Sequence, residues 1–127
     1  MYSHVCLVED SDIAVLIAEE LFTSVNVAKK VTVFQDAESI WAFFKEMLPS
    51  DWPDILFIDI NLPGISGLEL LKNLQTNNVL GDAYKPSIYV LSTSEFERDK
   101  KEVEKIDAVK GFIVKPLREE HLHKLLS

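Results

Sequence analysis

The sequence predicts an α/β domain with a parallel sheet covered by helices on both faces. Two observations carry this reading. Short apolar, β-branched runs alternate five times with segments of helical spacing, the order that builds parallel sheets through crossover helices. The runs also end at or beside polar residues, and such sheets place their sites at the carboxyl ends of their strands. At 127 residues the chain suits one domain, residues 1–127, with one substantial core.

The first run, His4 to Val8, is followed by a helix that Ser11 or Asp12 can cap and that carries Ile13, Leu16, Ile17 and Leu21. Val31 to Phe34 is the second strand. Asp36 can cap the next helix, in which Ile40, Phe43, Phe44, Met47 and Leu48 fall on one face and Pro49 ends the element. Ile55 to Ile58 is the third strand. Ser66 with Glu69 then fits a capping box, in which each side chain satisfies the other's free backbone N–H. A loop from Gln75 to Ser87 leads to the fourth strand, Ile88 to Leu91.

Ser94 with Glu97 repeats the capping spacing and predicts the start of the fourth helix there. Between Glu95 and Asp107 the large apolar residues are Phe96, Val103 and Ile106, set among charged ones. This helix should dock weakly and be laced with i, i+4 ion pairs. Weak docking also suits an element that shifts. Phe112 to Val114 is the fifth strand, and a short helix from about Arg118 offers Leu122, Leu125 and Leu126 to the core.

Composition excludes several classes of function. The apolar share of 47% with 27% charged residues is that of a globular protein. No run approaches the roughly 18 apolar residues of a membrane helix, and the first residues lack the pattern of a signal peptide. A cytoplasmic location is expected. The net charge of −8 opposes nucleic acid and anionic membranes alike. The single cysteine, Cys6, lies in an apolar run and reads as a small buried hydrophobe. His4 reads as structural, and His121 and His123, two apart on a helix, face different ways.

Five polar residues meet at one edge of this plan: Glu9 and Asp10 after the first strand, Asp59 after the third, Ser92 after the fourth and Lys115 after the fifth. Carboxylates about 4 Å apart repel by about 4 kcal/mol per pair at an effective dielectric near 20, so the cluster asks for a cation. Few, oxygen-only ligands suit Mg²⁺ better than Ca²⁺. Mg²⁺ and Lys115 together would neutralise the three carboxylates. A carboxylate can attack phosphorus to form an aspartyl phosphate, and Asp59, ending the central apolar strand, is the candidate. Glu9 and Asp10 can hold the metal, Lys115 can meet one phosphoryl oxygen and the Ser92 hydroxyl another. The Lys115–Pro116 bond is a candidate for a cis peptide that fixes the lysine's direction.

Four stretches, Leu7-Val8-Glu9-Asp10, Ile58 through Gly67, Val90-Leu91-Ser92-Thr93-Ser94 and Gly111 through Pro116, make the chain resemble a response-regulator receiver domain of two-component signalling. The resemblance implies a flavodoxin-like (βα)5 fold, a doubly wound five-stranded parallel sheet in three α/β/α layers. It implies that Asp59 is the phosphoacceptor, Glu9 and Asp10 the acidic metal pair, and Asn61 the donor of a backbone carbonyl to the metal. Lys115 matches the phosphate-contacting lysine, Ser92 the switch hydroxyl and Phe112 the aromatic that turns inward with it. Glu9, Ser92, Thr93 and Phe112 stand where aspartate, threonine, a small residue and tyrosine are more frequent.

The expected activity is that of a phosphoacceptor switch rather than an enzyme. Its donor would be a histidine kinase or a histidine phosphotransfer protein, and its output a changed surface on helix four, strand five and helix five that regulates a downstream protein target. The chain ends soon after Pro116, so no output domain is expected. A phosphatase of the haloacid dehalogenase type would also use an aspartyl phosphate, but on the first strand with a second acid two residues later, where this chain has Asn61 after Asp59. A degenerate receiver would have lost one of the groups that are retained here. A relay shuttle and a protein-interaction switch both remain open.

Overall fold

The computed structural model describes residues 2–76, 86–94 and 98–126. Five strands, β1 (Tyr2–Val8), β2 (Ala28–Phe34), β3 (Ile55–Asp59), β4 (Ser87–Ser92) and β5 (Val109–Val114), alternate with helices α1 (Asp12–Val25), α2 (Ala37–Glu46), α3 (Gly67–Thr76), α4 (Lys100–Glu104) and α5 (Glu119–Leu126). All neighbouring strands pair in parallel, in the order β2-β1-β3-β4-β5. The order reverses between β1 and β3, and that is where an open α/β sheet leaves a crevice at its strand ends.

Alternation along the strands divides the core. Cys6, Val8, Leu56, Ile58, Ile88 and Val90 pack with α2, α3 and Val103 of α4. Val5, Leu7, Ile55, Phe57 and Leu91 pack with Ala18 and Phe22 of α1 and Leu122 of α5. Leu7, Leu56, Phe57 and Ile58 have at most 1% exposure, as strands covered on both faces require.

The sequence reading needs four corrections. In α1, Ile13, Leu16 and Ile17 are exposed, while Val15, Ala18, Phe22 and Val25 face the sheet. This helix is apolar on more than one side, and the small Ala18 lets it approach the strands closely with Phe22 stacked on Phe57. In α2, Ile40 and Phe44 are buried, but the helix stops at Glu46 and Met47 is already extended, leaving Met47 and Leu48 exposed. Pro49 disfavours helical backbone in the residue before it, so the last turn is lost. In α5, Leu122 is fully buried whereas Leu126 is exposed.

The fourth correction is the start of α4, which lies at Lys100 after Asp99, with no side-chain cap. Glu97 and Phe96 lie outside the described residues, as does most of the loop from Gln75 to Ser87. Val103 and, just beyond the helix, Ile106 are buried, while Lys100–Glu104 and Lys105–Glu102 pair on the outside. Elsewhere Ser11 accepts from the Ala14 N–H and Asp36 from Ser39, as read, and Ser66 accepts from Glu69, which is one half of the expected capping box.

Candidate phosphorylation site

The same alternation that sorts the core builds the site. Glu9 follows Leu7 by two residues, Asp59 follows Phe57 by two and Lys115 follows Ile113 by two, so all three continue the α1 face of their strands. Their side chains meet. The Lys115 ammonium donates to Glu9 Oε1 and, at 2.9 Å, to Asp59 Oδ2. Carboxylate oxygens of Glu9, Asp10 and Asp59 all lie within 4.8 Å of one another. Glu9 and Asp59 are buried, Asp10 is exposed, and the Lys115–Pro116 peptide is cis.

The remaining carboxylate oxygens are held by backbone. Asp59 Oδ1 accepts from the Asn61 N–H at 2.9 Å, and Glu9 Oε2 accepts from the Ser11 N–H at 3.3 Å. Burial raises the Glu9 carboxyl above its usual range and the Asp59 charge adds to this, against the opposing pull of Lys115. Burial alone would lower Lys115, but hydrogen bonds and charge from Asp59 and Glu9 outweigh it and hold the ammonium protonated more firmly than usual. The buried site is thus an ion cluster with more acid than base.

Ser92 sits on the opposite face of the sheet edge. It is fully buried, and its hydroxyl donates to the Ser94 carbonyl at 3.0 Å while accepting from the Ser94 N–H. The hydroxyl is therefore bonded to its own loop, while the Ser92 carbonyl accepts from the Lys115 backbone N–H at 2.6 Å. Phe112, on the same face, is half-buried against the α2–α4 core, with the Lys100 ammonium 5.3 Å from its ring centre. That contact, which ties α4 to β5, was not foreseen, because pairing a lysine with one particular ring requires the fold.

Gly67 closes one of the motif stretches, but motif reading gave it no role. A Cβ there would lie 2.5 Å from the Asp59 carbonyl oxygen and 2.7 Å from Ile60 Cα. The N-terminus of α3 is pressed onto the end of β3, and its N–H bonds the Ile60 carbonyl. Only a residue without a side chain permits this approach. A conformational signal existed in the sequence, a glycine at the predicted first turn of a helix, where it is otherwise unfavourable.

Comparison with known proteins decides the family. The sequence model of the response regulator receiver domain matches residues 5–127. This chain belongs to that family. A response regulator from Cytophaga hutchinsonii superposes with a TM-score of 0.86 at 26% identity, covering 98% of this chain and 94% of the other. A two-component response regulator from Legionella pneumophila gives 0.81 at 21% identity over 98% and 95%. The sensory transduction protein LytT of Enterococcus faecalis is 28% identical over 124 residues, 98% of this chain and 46% of that protein, so this receiver chain spans about half the length of the curated relative.

Receiver domains are signalling modules of two-component systems. Members of the family accept phosphoryl groups, bind Mg²⁺ at an acidic pocket and interact with histidine kinases or phosphotransfer proteins. The Glu9, Asp10 and Asp59 cluster fits such an ion. Its donors are all oxygen, as a hard divalent cation prefers, and the single Lys115 leaves the cluster with a surplus of negative charge. No described helix is long and apolar enough to cross a membrane.

Proposed function

We propose that this protein is a phosphorylation switch in which the Asp59 carboxylate takes a phosphoryl group from a phosphohistidine on a histidine kinase or phosphotransfer protein. The observation that carries the proposal is the convergence of Glu9, Asp10, Asp59 and Lys115 at one strand edge. Mg²⁺, held by Glu9, Asp10, Asp59 and the Asn61 backbone carbonyl, would supply neutralising charge to the phosphoryl oxygens. Everything else is done by side chains of the chain itself, since phosphoryl transfer needs mainly positioning and charge.

Asp59 is oriented by the Asn61 N–H on one oxygen and Lys115 on the other. Its carboxylate forms the new O–P bond while the bond from phosphorus to the donor nitrogen breaks, with the electron pair leaving on the imidazole. Lys115, already on Asp59, turns from Glu9 toward a phosphoryl oxygen. The Ser92 hydroxyl leaves the Ser94 carbonyl to donate to another. Phe112 follows into the space behind it, loosening its contact with Lys100 and moving α4. The altered surface of α4, β5 and α5 then regulates a protein target, without nucleic acid or membrane as partner. The protein acts in the cytoplasm as a signalling domain whose only chemistry is on itself.

The test is intact-mass spectrometry after incubation with Mg²⁺ and acetyl phosphate. We expect a gain of one phosphoryl group that disappears without Mg²⁺ and in Asp59→Ala. A gain that persists in Asp59→Ala would overturn the assignment. For the switch, a phosphoryl mimic that leaves partner affinity unchanged would count against the α4-β5-α5 output surface.

A further inference from the structure

The α1 face that delivers Glu9 and Lys115 also leaves a gap beside them. A cleft of about 300 Å³ lies between Leu7 and Leu91 of the sheet, Ala14, Ile17 and Ala18 of α1, and Leu117 beyond the cis-proline. It closes on Glu9 and Lys115. Its origin is local. Two alanines one helical turn apart face the loop after β5, where larger aliphatic residues would have filled the space. The volume is at the lower end of that of small-molecule sites, and an apolar lining with a few convergent polar groups is their usual character. Phosphoryl transfer itself has no use for an apolar wall, since the phosphoryl group and its counter-charges are polar throughout. The wall nevertheless runs up to the lysine that holds Asp59 Oδ2 at 2.9 Å.

We propose that this cleft is a leaving-group subsite that takes the hydrocarbon chain of a small acyl phosphate while its phosphoryl group passes to Asp59. The proposal rests on the phosphoacceptor reading above. In the step, an Asp59 oxygen bonds to phosphorus and the bond from phosphorus to the acyl oxygen breaks. The electron pair leaves with the acyl carboxylate and no proton moves. The alkanoate then departs along the cleft. Under this proposal a chain of three or four carbons lies against Ala14 and Ala18, which line the cleft, and the shorter acetyl group buries fewer methylenes there. Each buried methylene favours binding by about fourfold.

The experiment compares acetyl and butyryl phosphate on the whole protein with Mg²⁺, below saturation, by intact mass. The two leaving groups are alkanoates of similar basicity, so the chain is the variable. Butyryl phosphate should react faster on the order of tenfold, and the butyryl-to-acetyl ratio should fall toward one in Ala14→Leu, which fills the cleft, and in Ile17→Ser, which removes its rim. Equal rates in the unaltered protein overturn the proposal. A second measurement needs no transfer: methyl NMR with methylphosphonate and butylphosphonate in Mg²⁺. Tighter binding of the butyl compound, with shifts at the Ala14, Ile17 and Ala18 methyls, supports the cleft, and equal affinities sink it. Normal phosphorylation without chain preference would refute the cleft alone, whereas chain-dependent phosphonate binding without any phosphoryl gain would refute the phosphoacceptor reading alone.

Discussion

Strand β1 carries a buried ionisable residue near each end, and the two are treated in opposite ways. At the amino end His4 is satisfied: its Nε2 lies 2.8 Å from the Thr32 hydroxyl, and its backbone N–H donates to the Asp54 carboxylate at 3.2 Å. Cys6 Sγ lies 3.7 Å away, and the edge of Phe43 covers the ring. At the carboxyl end Glu9 shares one lysine with Asp59 beside a third carboxylate. One pole closes its hydrogen bonds with a hydroxyl and a single carboxylate, that of Asp54, and holds the fold together. The other gathers like charges, which costs stability, and leaves them ready for a cation and a phosphoryl group.

Substitutions should separate the two poles. The largest effect is expected from Lys115→Met, which leaves Glu9 and Asp59 buried without their counter-charge. Metal-free stability should drop by about 3 kcal/mol, and the rate of phosphorylation by acetyl phosphate should fall on the order of a hundredfold. Urea denaturation and intact-mass kinetics read the two losses. Gly67→Ala forces a methyl into the Asp59 carbonyl and should cost about 2 kcal/mol, with slower phosphorylation because Asp59 is displaced with its strand. His4→Leu takes the ring partner from the Thr32 hydroxyl and should cost about 1.5 kcal/mol, yet leave the Mg²⁺ response and the phosphorylation rate unchanged. A loss of phosphorylation in that variant would erase the contrast between the poles.

Most of the fold was legible because strand runs and caps are local. Ser11, Asp36 and Ser66 cap as their spacing indicates, and each strand was located to within a few residues. Helix faces were less legible. In α1 two apolar stripes compete, and the choice of Val15, Ala18 and Phe22 over Ile13, Leu16 and Ile17 is made by how closely the helix can approach Leu7 and Phe57. The site residues were legible because each follows a strand end. What escaped notice was the alternation that puts Glu9, Asp59 and Lys115 on one face and Ser92 with Phe112 on the other. The resting bond of Ser92 to Ser94 and the contact of Lys100 with Phe112 depend on loop and helix placement, which spacing does not encode.

The smallest predicted effect is on pH dependence. Burial, aided by Lys30 and opposed by the Asp51 backbone and Asp54, lowers the His4 pKa below its ordinary 6.5. Between the folded value and 6.5 the unfolded chain binds the proton more readily, so this contribution is complete above about 6.5 and is lost as pH falls through that window. The stability of His4→Leu should therefore fall less steeply than that of the unaltered protein as pH is lowered from about 6.5. Parallel slopes in denaturant titrations would show that His4 is not the titrating group.

The central claim, that the carboxyl pole gives up stability in return for readiness to bind charge, is tested most directly by thermal unfolding of the unaltered protein and Asp59→Asn, each in EDTA and in Mg²⁺. The account predicts that Asp59→Asn unfolds at the higher temperature in EDTA, and that Mg²⁺ stabilises the unaltered protein, by about 2.7 kcal/mol at a hundred times the dissociation constant, more than it stabilises the variant. A variant that is less stable in EDTA, with equal gains from Mg²⁺ in both proteins, would contradict it.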